Sequence, residues 1–87
     1  MSHIARHIRI TGRVQGVFFR AWTREQADNL GISGWVRNRT DGSVEAHLQG
    51  EQWAVQRLIE LLHRGPAAGV VVDNADFERI ERFEARQ

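Results

Sequence analysis

ISGWVRNRTDGSVEAHLQ, residues 32–49, reads as two strands joined by a tight turn. Asp41-Gly42 supplies the positive φ that a short hairpin turn requires. After the turn, Val44, Ala46 and Leu48 point one way, and Ser43, Glu45, His47 and Gln49 the other. That alternation predicts a strand with one apolar face. Before the turn, Val36 opposes Trp35 and Arg37, and Asn38 shares the parity of Val36.

Each side of this hairpin carries a helix and then a strand. Upstream, AWTREQADNLG (21–31) places Trp22, Gln26 or Ala27, and Leu30 at helical spacing, with Gly31 suited to a left-handed end. Before it, IARHIRITGRV (4–14) alternates, with Ile4, Ile8, Ile10 and Val14 on one face. Downstream, EQWAVQRLIELLHRGP (51–66) is a second amphipathic helix, stopped by Gly65-Pro66. The β-branched run Val70–Val72 then predicts a strand continuing through Ile80, with a short last strand at Phe83–Ala85. The order β-α-β-β-α-β predicts an α+β, ferredoxin-like sandwich: an antiparallel four- to five-stranded sheet with both helices on one face. The 87 residues suit a single domain over 1–87.

Composition narrows the function classes. A hydrophobic share of 41% with 26% charged residues is that of a globular chain. There is no Cys, hence no disulfide, thiolate nucleophile or Cys-ligated zinc. The start MSHIARHIRI is too polar for a signal peptide, and no apolar run reaches membrane-spanning length, so a cytoplasmic protein without a membrane partner is expected. Residues 1–40 carry seven Arg and two acids, whereas 41–87 carry five Arg and nine acids. The first half therefore suits an anionic partner, while the net charge of +1 is too small for a nucleic-acid binder. His3 and His7 share a strand face without a third ligand, so no metal is expected. His47, His63, Asp41, Glu45 and the acidic tail read as solvated surface, and Trp22, Trp35 and Trp53 as packing residues.

The stretch GRVQGVFFR (12–20), between the first strand and the first helix, is the candidate site. In the predicted topology the first two strands run parallel, so Gln15–Arg20 and Asn38 meet at one sheet edge. The loop feeds a helix N-terminus, whose unpaired N–H groups and positive dipole end suit a phosphate-sized anion. Gly16 lets the backbone approach an oxygen, Arg20 adds a planar fork for two phosphate oxygens, and Phe18 or Phe19 can plug into the core. No Lys-Ser or Lys-Thr stands at the Walker offset, and no carboxylates cluster for Mg²⁺. The expected site therefore uses no cofactor and no metal.

GRVQGVFFR followed by GWVRNRTDGSVE (34–45) resembles the two signature stretches of the acylphosphatase family, with the likeness running from about Ile8 through Gly50. The segment PAAGVVV and the tail RFEARQ depart from the family's usual pattern. The resemblance implies metal-free hydrolysis of a small-molecule acyl phosphate, by a cytoplasmic monomer. It implies that the backbone of Gln15, Gly16, Val17, Phe18 and Phe19, with Arg20, binds the phosphoryl group, and that Asn38 positions the attacking water. Two other readings share the strand order: an RNA-binding module and a small-ligand regulatory module. The first needs aromatics on the third strand, and SVEAHLQ has none. The second normally accompanies a catalytic domain.

Overall fold

A computed structural model describes residues 2–65 and 67–87. The elements are β1 (His3–Gly12), α1 (Val17–Leu30), β2 (Ser33–Asn38), β3 (Val44–Glu51), α2 (Gln52–Arg64), β4 (Ala67–Asn74) and β5 (Phe83–Arg86). They build one five-stranded sheet in the order β4-β1-β3-β2-β5. The expected α+β sandwich is present. Three of the four strand pairings are antiparallel, and β5 adds parallel to β2 at the far edge.

Alternation decides the core. Ile8, Ile10, Val36, Val44, Ala46 and Leu48 line the helix-facing side of the sheet and are fully buried. Phe19 and Ala27 of α1 and Ala54, Val55, Leu58 and Leu62 of α2 close over them. Burying one such side chain contributes about 1.5–3 kcal/mol, so this face sets the register. The hairpin forms as its sequence predicts. Gly42 has φ 92°, the Arg39 N–H donates to Ser43 O at 2.8 Å, and Asp41 Oδ1 accepts from Ser43 N–H at 2.9 Å. Gly31 ends α1 in the left-handed conformation, and the Gly65 N–H closes α2 onto Leu62 O. Pro66, the other half of that stop signal, lies outside the described residues.

Three expectations need correction. The strand after α2 ends at Asn74 rather than running through Ile80. Because β4 and β5 occupy opposite edges, the chain must cross a sheet about 19 Å wide. Residues 75–82 make that crossing over the face away from the helices. The Ala75 N–H meets Ala5 O of β1, Glu78 exchanges two bonds with the Gln49 side chain of β3, and Arg82 O accepts from Gly34 N–H of β2. This cover reaches His47, 2% exposed and 3.4 Å from Glu78, while Glu45, 4% exposed, is enclosed with His7, Arg37 and Arg39; both were expected on a solvated face. Trp53, expected to pack, is exposed on α2.

Gly34 is required where β2 meets β3. A Cβ there would lie 1.8 Å from the His47 carbonyl oxygen, at φ +142°.

Candidate active site

The sheet register positions the site. Val44 pairs with Ile10 on one side and Asn38 on the other, so the ends of β1 and β2 are separated by a single strand. That places the loop after β1 and the carboxamide of Asn38 at the same edge, about 10 Å apart at the strand level.

The loop is shorter than its sequence suggests. α1 begins at Val17, so Val17, Phe18, Phe19 and Arg20 form its first turn. The N-cap is Gly16 at φ 119°, ψ 169°, a conformation that favours glycine. There is no side-chain cap bond and no acidic residue in the first turn. The first intrahelical bond runs from Arg20 N–H to Gly16 O at 3.4 Å. The amides of Val17, Phe18 and Phe19 therefore have no backbone partner among the described residues. Uncapped N–H groups with an unopposed dipole end hold positive potential that an anion can use.

Arg20 stands one turn into α1, and its guanidinium is fixed by main-chain carbonyls. Nη1 donates to Arg86 O of β5 at 2.8 Å, and Nε lies 3.5 Å from Gly16 O. Among the described residues no carboxylate pairs with it, so its charge is available beside the open amides. Of the two phenylalanines, Phe19 is the core plug; Phe18 is 89% exposed.

Asn38 keeps the parity of Val36 and turns toward the helix side. Its Oδ1 is buried with no hydrogen-bond partner among the described residues. An unpaired buried carbonyl costs about 1–3 kcal/mol, so the position is held at a loss of stability.

The contribution of the Gln15 side chain escapes sequence reading. Its Nε2 donates to Arg39 O at 2.5 Å and Ser43 O at 2.9 Å, tying the loop to the hairpin just past Asn38. The only available signal was a polar residue between two glycine-flanked positions, which does not specify a partner 24 residues away.

Beneath this edge, on the crossed face of the sheet, Glu45 gathers three basic side chains. His7 Nε2 lies 2.8 Å from Glu45 Oε2, Arg37 donates to Oε1, and Arg39 Nη1 lies 3.5 Å from Oε2. Burial alone pushes the Glu45 carboxyl up, but the bonds from His7 and Arg37 and the guanidinium charges outweigh it, leaving its pKa below the ordinary 4.5. A carboxylate with a lowered folded pKa stabilises the fold above its unfolded value, and that stabilisation disappears as pH falls through the folded one. Acid unfolding of the native chain is therefore expected to steepen below about pH 4.5. In Glu45→Gln that acid limb flattens and neutral-pH stability falls by about 1–3 kcal/mol. Urea midpoints across pH 3–7 check both, and an unchanged acid limb contradicts the assignment.

The acylphosphatase family model matches residues 6–86. An acylphosphatase of Sinorhizobium medicae is 54% identical over 68 residues, covering 78% of this chain and 72% of the relative. One from Haloarcula marismortui is 42% identical over 90 residues, covering 99% of each. The crystal structure of acylphosphatase from Bacillus subtilis superposes with a TM-score of 0.90 at 32% identity, covering 97% of this chain and 99% of that one. With its fold, its family match and its relatives in agreement, the chain belongs to the acylphosphatase family.

Proposed function

We infer that this chain hydrolyses the carboxyl-phosphate bond of small acyl phosphates, giving a carboxylate and inorganic phosphate. It does so as a single domain over residues 1–87, a cytoplasmic monomer whose reaction involves no nucleic acid, membrane or cofactor. The observation that carries this reading is the uncapped, acid-free start of α1 with the Arg20 guanidinium, which no carboxylate among the described residues neutralises, fixed beside it.

The chemistry asks little more of the protein. The transition state spreads charge over the equatorial phosphoryl oxygens. The amides from Gly16 to Phe19 and the Arg20 fork meet that charge without reorganising. The P–O(acyl) bond breaks, and its electron pair leaves on a carboxylate, already a stable anion, so no general acid is needed. The new P–O bond forms to a water held by the Asn38 carboxamide for in-line attack. Asn38 takes no proton; the water's protons go to the phosphate oxygens and to solvent. Gln15 keeps the amides and Asn38 in register by joining their two segments.

Inorganic phosphate release from benzoyl phosphate, assayed with a chelator present, tests this reading. Activity is expected to survive chelation. Phosphate is expected to inhibit competitively and, at a hundred times its Kd, to stabilise the fold by about 2.7 kcal/mol. Loss of activity on chelation, or thermal unfolding unmoved by phosphate, contradicts it. No observation favours the RNA-binding alternative: residues 75–82 lie across the sheet face such a module would use.

A further inference from the structure

Two grooves leave the start of α1. One, of about 630 Å³, runs along the outer face of the helix past Arg20, Arg24 and Asp28 to Ala85 and Gln87. The other, of about 410 Å³, is lined by Arg13, Gln15, Phe18, Phe19, Trp22 and Gly65. Of these side chains only Arg13 carries charge, and Phe19 and Trp22 stack with centroids 6.1 Å apart. Phe18, 89% exposed in the first turn of α1, forms a wall of this groove while its amide faces the anion site. Continuous with the Phe19–Trp22 pair, exposed Phe18 makes this groove an apolar patch beside the phosphoryl cradle, the kind of surface an apolar ligand group covers.

We propose that this second groove is the subsite for the acyl half of the substrate, and that it selects aromatic acyl groups over acetyl. The proposal rests on the reading of the α1 start as the phosphoryl site. In-line displacement puts the attacking water and the leaving acyl oxygen on opposite sides of phosphorus. Asn38 holds the water from β2, and the strand order puts β2 and β5 on the same side of β1. The charged groove closes against the β5 end, on the water's side. The apolar groove closes against Arg13 and against Gly65 at the end of α2, on the opposite side. The leaving group therefore exits over Phe18. A dry cavity of about 150 Å³ accommodates a benzene ring, so a benzoyl group fits easily, whereas an acetyl methyl touches little of the wall.

The test compares kcat/KM for benzoyl phosphate and acetyl phosphate in the parent chain, Phe18→Ala, Phe18→Leu and Arg24→Ala, with the inhibition constant of inorganic phosphate measured for each. Phe18→Ala is expected to lower the benzoyl-to-acetyl ratio about tenfold, the loss of one aromatic contact. Phe18→Leu recovers most of it, and Arg24→Ala leaves the ratio unchanged. A ratio unmoved by Phe18→Ala, or one that shifts with Arg24→Ala instead, overturns the subsite and leaves the phosphoryl reading standing. A parent chain that hydrolyses neither acyl phosphate and ignores phosphate overturns the phosphoryl reading, and the subsite with it.

Discussion

Arg20→Ala is expected to lower kcat/KM for acyl phosphate hydrolysis about a thousandfold, a loss of about 4 kcal/mol of transition-state stabilisation. The guanidinium places a full positive charge beside the open amides of α1, and its fork can meet two phosphoryl oxygens at once. Inorganic phosphate binding falls with it, because the same donors meet the ground-state dianion. The fold survives: the variant loses the bond to Arg86 O and the long contact to Gly16 O, together about 1–2 kcal/mol. Arg20→Lys keeps the charge without the fork and recovers only part of the activity. Kinetics with acetyl phosphate and a thermal melt separate these effects. A kcat/KM within tenfold of the parent contradicts the role.

Asn38→Ala is expected to divide kcat by about a hundred while phosphate affinity stays near that of the parent. Losing the orientation of a water costs on this scale even when binding is intact. The stability readout separates this role from a structural one. Asn38 Oδ1 is buried without a partner among the described residues, so its removal relieves an unmet acceptor. Asn38→Ala is therefore expected to melt at or slightly above the parent temperature, whereas a turn-forming asparagine would lose stability on truncation. A kcat loss matched by an equal loss of phosphate affinity contradicts the assignment, as does a large drop in melting temperature.

Residues whose partners are local were legible in the sequence. Asp41-Gly42 announces the hairpin because only a positive φ closes so tight a turn. The apolar alternation of β1 and β3 states which face meets the helices, and the parity of Asn38 with Val36 states where its side chain turns. The start of α1 was not legible, since Gly16 caps by backbone conformation and leaves no Ser, Thr or Asp to mark the boundary. Nor was the burial of Glu45 and His47. They sit at the polar parity of their strand; His47 meets Glu78 of the non-periodic segment 75–82 arriving from the opposite edge, and Glu45 is enclosed with His7, Arg37 and Arg39 from neighbouring segments. Periodicity reports which face a residue occupies but does not show which later segment covers that face. The Gln15 clamp was hidden for the same reason, as its two acceptors are main-chain carbonyls that any sequence would offer.

The most direct measurement is a titration of the parent chain with inorganic phosphate, followed by the amide ¹H–¹⁵N shifts. The amides of Gly16, Val17, Phe18 and Phe19 are expected to move together, with one Kd equal to the kinetic inhibition constant. Shifts confined to other parts of the chain, while phosphate still inhibits, would contradict a phosphoryl site at the start of α1.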